Sequence, residues 1–244
     1  MSKNTFGQLP AVTIRAADGA QATVTLYGGH LVSWRGSDGR ERLFCSRDSA
    51  LDGSRAIRGG VPVICPQFGA RGTGMRHGFA RVATWREAAS GTDNGAAWAE
   101  FSLSVHNTGS QPFPFSAALH SYFAIDQLDQ ARITGLQRVR YSEETPPDAL
   151  QAEEVLQFAD KLDRIYHQLP GPLQLESGGA TLRLAQQGFT DAVVWNPGAQ
   201  DASALPDLAD DEYPRFVCIE AALIQPDLLA AGAEWHGSQQ LQFS

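Results

Sequence analysis

Apolar and polar residues alternate in short runs throughout this chain, and a two-residue repeat suits strands, not helices. Val24 and Leu26 alternate with Thr23, Thr25 and Tyr27. Phe101, Leu103 and Val105 alternate with Glu100, Ser102, Ser104 and His106, and Leu182 and Leu184 with Thr181 and Arg183. Each run can bury one face and leave the other to polar groups. Turn signals fall between the runs: Ala17-Asp18-Gly19, Tyr27-Gly28-Gly29, Ser37-Asp38-Gly39, Asp93-Asn94-Gly95, Asn107-Thr108-Gly109 and Asn196-Pro197-Gly198. Helical periodicity is almost absent. Residues 148–158 fit either a short helix or an extended segment. The pattern predicts an all-β chain folded as a large antiparallel β-sandwich or barrel.

Nothing separates the 244 residues into halves: no linker, repeat or low-complexity tract interrupts them. A β-sandwich of this size is commonly one unit, so a single domain spanning residues 1–244 is expected. The start, Met1 to Gly7, lacks an apolar core, which argues against a secretory signal. No apolar stretch reaches membrane-spanning length. Cys45, Cys65 and Cys218 are odd in number and widely spaced, which suits reduced thiols in the cytoplasm. The six histidines (30, 77, 106, 120, 167 and 236) show no metal-ligand spacing. No phosphate loop, dinucleotide loop or nucleophile elbow is present.

The net charge of −8 argues against nucleic acid as a partner. The distribution is uneven, however. Residues 35–86 hold ten arginines and four acids, a balance of +6. Arginine outnumbers lysine by 17 to 2. Genome composition accounts for that ratio but not for the clustering, which suggests a local anion site, since the guanidinium fork suits phosphate.

Two ionisable residues interrupt otherwise apolar runs. His120 lies within Phe115–Phe123, and Glu220 within Phe216–Ile224. By alternation His120 shares a face with Ser116, Ala118 and Tyr122, small neighbours that would leave room for a ligand. Glu220 shares one with Phe216, Cys218 and Ala222. One reading is a core histidine with satisfied hydrogen bonds and a carboxylate paired with an arginine. The other is a proton-transfer pair whose acidities burial has shifted.

The segment Ile57–Arg81 carries too many Gly and Pro residues for a central strand, and a long irregular stretch in a compact domain is usually functional. It holds Arg58, just before a glycine pair that would permit close approach of a ligand, and Arg76 and Arg81, which bracket His77-Gly78. A lone arginine is most simply a solvated charge, but three on one loop system weaken that reading. Asp163, beside Arg164, is either a surface ion-pair member or an acceptor for sugar hydroxyls.

Together these segments resemble the hexose-6-phosphate mutarotases, or glucose-6-phosphate 1-epimerases, of the aldose 1-epimerase type. The matching stretches, in the family's order, are Ile57–Val63 with Pro66–Gly69, His77–Arg81, Leu119–Phe123, Asp163–Tyr166, Val194–Pro197 and Asp210–Tyr213 leading to Cys218–Ala221. The resemblance implies a galactose-mutarotase-like antiparallel β-sandwich (supersandwich). It implies His120 as general acid and Glu220 as general base, with Arg58, Arg76, His77, Arg81 and Asp163 as substrate-binding positions. The implied reaction interconverts the α and β anomers of glucose 6-phosphate, and possible related hexose 6-phosphates, by acid–base ring opening and closure. It needs no metal or cofactor. The expected partner is a small sugar phosphate, not nucleic acid or a membrane, and the expected state is a monomer or weak homo-oligomer. Two readings compete: a non-catalytic carbohydrate-binding or regulatory module, and an aldose 1-epimerase for unphosphorylated sugar. Three places depart from the family pattern: Arg76, often Gln or Ala; Lys161, often Glu; and Gly198–Asp201, where a Trp and a nearby Lys are usual.

Overall fold

The alternating runs become strands. The computed structural model describes residues 2–101, 103–143 and 148–243. Its sheets are antiparallel, and its one α-helix among the described residues is the single turn Gly198–Ala202. Residues 148–158 are extended, with strands at Ala149–Leu150 and Val155–Gln157. The run at 100–106 is not one strand, and its Ser102 lies outside the described residues. Ala96–Glu100 pairs with Ala89–Asp93 around Asn94-Gly95, whereas Val105–His106 pairs with Glu234–Trp235. A two-residue type I′ hairpin turn needs positive φ at both central residues, and Asn94 and Gly95 supply φ of 49° and 85°.

An eight-stranded sheet positions the site. Its order is Ala149–Leu150, Arg140–Ser142, Leu162–Tyr166, Asp191–Asn196, Phe216–Leu229, Phe113–Leu119 and Val63–Ile64, with Tyr122–Ala124 also on Phe216–Leu229. The long strand Phe216–Leu229 is central, and its stretch Phe216–Ile224 is buried on both faces, which is why that stretch reads as an apolar run broken only by Glu220. One face packs against a five-stranded sheet. There Val194, Val217, Ile219, Phe123 and Tyr166 meet Ile133, Leu156, Leu175, Leu182 and Leu184, all buried. Full burial of each such side chain stabilises the fold by roughly 1.5–3 kcal/mol. The opposite face carries the odd partners of the same alternation: Ile165, Val193 and Trp195, then Cys218, Glu220 and Ala222.

The run holding His120 is two strands, not one. Phe113–Leu119 ends, His120 and Ser121 lie between, and Tyr122–Ala124 resumes. Both pieces pair with Phe216–Leu229 in one register: Leu119 opposite Ala221, and Tyr122 opposite Cys218. That register sets His120 across from Glu220. At the break the His120 amide donates to Pro62 O (3.0 Å), one step beyond the pairing of Val63 with Leu119.

The segment Ile57–Arg81 is irregular, as its composition predicts, apart from Val63–Ile64 and a 3-10 turn beginning at Ala80. Its glycine pair serves chain contact, in correction of the expectation that it admits a ligand. A Cβ on Gly60 (φ +59°) would lie 2.3 Å from Leu31 O, so glycine lets this loop press against the N-terminal four-stranded meander.

Candidate active site

His120 and Glu220 meet on the floor of a cleft of about 500 Å³, with His120 Nε2 3.3 Å from Glu220 Oε1. Glu220 is 1% exposed, so its carboxyl is cut off from water. Its other oxygen, Oε2, and His120 Nδ1 are buried without hydrogen-bond partners. Among the described residues no arginine pairs with Glu220, which removes the structural ion pair that the sequence left open.

Aromatic rings fix the imidazole. Tyr122 stacks on it at 4.9 Å and 11°, while Trp195 and His77 meet it edge-on at 5.9 Å and 5.7 Å. The room expected above Ser116 and Ala118 is filled instead. Phe68 sits there, its amide donating to Ser116 Oγ at 2.8 Å and its ring packing with Ala118. The open space is displaced toward His120 and Tyr122.

The rim comes from the irregular segment. His77 adopts φ 63°, left-handed backbone that is uncommon outside glycine and clusters at functional sites. Its Nδ1 accepts from the Gly69 amide (3.3 Å), which leaves the ring proton on Nε2. Gln67 braces the loop around Gly69–Gly74: its amide nitrogen donates to Gly69 O and Gly74 O, and its carbonyl accepts from the Gly74 amide.

The structure brings every residue singled out from the sequence to this one cleft: Arg58, Arg76, His77, Arg81, His120, Asp163 and Glu220. Arg55, Arg71, Tyr122, Trp195 and Asp207 join them. Tyr122 and Trp195 follow from strand alternation once the inward face is known. Asp207 gave no signal, because it is one acid in a polar loop. Five guanidiniums thus face three carboxyls. Arg58 is committed: its Nε and one terminal nitrogen donate to Asp207 Oδ1 at 3.2 and 3.0 Å, and the other terminal nitrogen donates to Tyr122 OH at 3.0 Å. Arg81 is half-buried; it donates to Arg76 O at 2.9 Å, and its Nε has no partner. Arg76 and Asp163 are exposed at the rim.

Burial drives the acidities apart from their usual values. It raises the Glu220 pKa well above the ordinary carboxylate value, and Asp163 adds to the rise. It lowers that of His120 well below an ordinary imidazole, aided by His77, Arg58 and Arg81. His77 is pushed down to about 3 by burial and then by Arg81, Arg76 and Arg58. Arg81 is lowered by burial and by the neighbouring guanidiniums, an imbalance that an anion would relieve. Among the described residues no group of three or more His, Cys, Asp or Glu is placed to hold a metal ion.

The aldose 1-epimerase family model matches residues 10–99 and 92–242. A protein of Cenchrus ciliaris with the name "putative glucose-6-phosphate 1-epimerase" is 30% identical, over 94% of this chain and 83% of that protein. One of the same name from Escherichia coli (strain K12) is 29% identical, over 83% and 79%. The crystal structure of a "putative mutarotase" from Salmonella typhimurium superposes with a TM-score of 0.88 at 23% identity, covering 100% of this chain and 93% of that one. Galactose 1-epimerase from Lactobacillus acidophilus NCFM gives 0.73 at 12% identity, covering 100% and 97%. At such identities the solved structures establish the fold, a galactose-mutarotase-like β-sandwich.

Proposed function

The chain belongs to the aldose 1-epimerase family, and on that premise we propose that it interconverts the α and β anomers of a hexose 6-phosphate, with His120 and Glu220 as the proton-transfer pair. One observation carries the reading: the 3.3 Å approach of His120 Nε2 to Glu220 Oε1 at the base of an arginine-walled cleft. The anomeric hydroxyl and the ring oxygen of an aldose share one carbon, so groups this close can reach both.

Glu220 takes the anomeric proton while His120 delivers one to the ring oxygen, and the C1–O5 bond opens to the aldehyde. Rotation about C1–C2 presents the other carbonyl face. Closure reverses the transfers, with Glu220 giving its proton back to O1 and His120 taking one from O5. One proton therefore resides on the pair throughout. It lies on His120 before opening and on Glu220 after it. Burial disfavours imidazolium and carboxylate alike, so in the empty cleft it favours the neutral pair with the proton on Glu220, and the reactive form carries that proton on His120. Tyr122 and Trp195 hold the imidazole and supply apolar walls for the sugar ring.

The five guanidiniums favour a phosphorylated sugar, with Arg81, least compensated of the buried ones, as its leading contact. His77 and Asp163 complete the substrate-binding set as a ring N–H donor and a carboxylate acceptor at the rim. A non-catalytic binder has no use for a buried acid–base pair, and a plain aldose epimerase has none for the arginine wall. Anomeric exchange measured by NMR with glucose 6-phosphate and with glucose is the test. No acceleration over spontaneous mutarotation with either sugar would sink the proposal.

A further inference from the structure

We propose that Asp207 is a built-in counter-charge that limits how tightly the cleft holds phosphate, by sharing Arg58 with the substrate. This rests on the sugar-phosphate reading above. Two of the five N–H bonds of the Arg58 guanidinium go to Asp207 Oδ1 and one to Tyr122 OH. Two remain on its terminal nitrogens, and Arg58 lines the cleft. Asp207 and Arg58 are both mostly buried, with side chains 14% and 22% exposed. Asp207 is also held in place. Leu208, the next residue, is buried in the cluster that contains Tyr122, Phe216 and Cys218, and Leu205 packs against the same cluster. The carboxylate is therefore fixed beside the guanidinium and does not swing away when an anion arrives.

The consequence is electrostatic. A phosphate dianion bound to the remaining edge of Arg58 lies close to a fixed negative charge of the same sign, in surroundings shielded from water, where repulsion is strong. Asp207 orients the guanidinium through its hydrogen bonds and weakens it as an anion site through its charge. An enzyme that merely inverts C1 must release a product as highly charged as its substrate. A cleft lacking this acid beside Arg58 would hold both more tightly.

The two effects separate by substitution. Asp207→Asn keeps an oxygen that accepts from Arg58 and removes the charge. We expect inorganic phosphate, titrated calorimetrically at fixed ionic strength, to bind Asp207→Asn at least tenfold more tightly than the unsubstituted protein. Asp207→Glu, which keeps the charge, should stay within a few-fold of it. The KM for glucose 6-phosphate should fall in Asp207→Asn by a similar factor. Thermal melting checks the fold; should Asp207→Asn not fold, Asp207→Ser removes the same charge and faces the same criterion. Equal or weaker phosphate binding in the neutral variant overturns the inference and leaves Asp207 as a structural brace. The unsubstituted protein provides the control for the underlying reading. If it neither binds phosphate nor accelerates anomeric exchange of glucose 6-phosphate, that reading has failed. If it does both and the neutral variant is unchanged, only the role of Asp207 has failed.

Discussion

Glu220 is almost wholly buried and His120 Nε2 lies 3.3 Å from its Oε1, so neither residue titrates by itself. General acid–base groups contribute about 10²–10⁴-fold, and we expect His120→Ala and Glu220→Gln each to lower kcat by that order while remaining folded. Their double variant should lose much less than the product of the two, since one proton shuttles between them. Near-normal exchange in either folded variant would remove the mechanism. The same coupling sets the pH profile. The active pair holds one proton. A second would create an imidazolium that burial and the nearby arginines oppose, so the acid limb of kcat falls below pH 6.5. Loss of the last proton leaves a carboxylate that burial opposes, so the alkaline limb is displaced upward from the carboxylate range. A flat region around neutrality follows, and an acid limb at or above pH 6.5 would contradict it. His30 makes a separate prediction about stability. It is fully buried, Nε2 pairs with Gly59 O at 2.7 Å, and burial lowers its pKa to about 4. A depressed pKa means that the unfolded chain binds the proton more readily, so stability is full above pH 6.5 and falls as pH drops toward 4. The loss is of the order of 3 kcal/mol for such a shift. Denaturant melts of the unsubstituted protein and His30→Gln at pH 7 and pH 4.5 should show a shallower fall in the variant.

At the level of elements, much was legible. Alternation over Thr23–Tyr27 found the end of strand Gln21–Thr25 but overran it by Leu26 and Tyr27, alternation over Thr181–Leu184 found Ala180–Gln187, and the run Phe216–Ile224 with its single acid marked the central strand. The break at His120–Ser121 was not legible, because apolar composition continues through it; there the Ser121 amide turns back to Leu119 O at 2.9 Å. Nor could the sequence place Asp207, whose partner Arg58 is 149 residues away. Two of the departures from the family pattern meet in space. Lys161 Nζ lies 2.7 Å from Asp201 Oδ2, which joins the residue before the strand Leu162–Tyr166 to the short helix Gly198–Ala202. The worth of this contact is modest, since both ends are half-exposed. The loop carrying His77 is held more firmly. A Cβ on Gly78 (φ +67°) would lie 2.0 Å from Cys65 O, a backbone atom that cannot swing aside. We expect Gly78→Ala to lower stability by roughly 2 kcal/mol or more and to reduce exchange activity by displacing His77. Unchanged melting and activity would show that this loop does not set the cleft.

Across the whole molecule, the net charge of −8 and the basic stretch 35–86 are reconciled by where the arginines go. Arg35, Arg40, Arg42 and Arg47 pair at the surface with Glu41, Asp126, Asp38 and Asp211. Arg55, Arg58, Arg71, Arg76 and Arg81 line the cleft. The clustering thus reports an anion site only in part; nearly half of it is ordinary surface pairing that sequence position cannot distinguish. On a chain of net charge −8, a cleft lined by five arginines is a locally favourable place for an anion. This predicts a preference for glucose 6-phosphate over glucose in kcat/KM. A charge-assisted contact contributes about 1.5–3 kcal/mol, or about one to two decades. Arg81→Ala should therefore cost one to two decades with the phosphorylated sugar and narrow the preference, since free glucose never used that contact. Arg76→Ala should cost less, because its side chain is exposed at the rim. Arg58→Ala should behave differently from both. It frees Tyr122 OH, and Tyr122 stacks on His120, so kcat should fall along with binding. Kinetics on both sugars for the three variants separate these outcomes. Equal efficiency of the unsubstituted protein on glucose and glucose 6-phosphate would dismiss the phosphate site and leave an epimerase of free sugars.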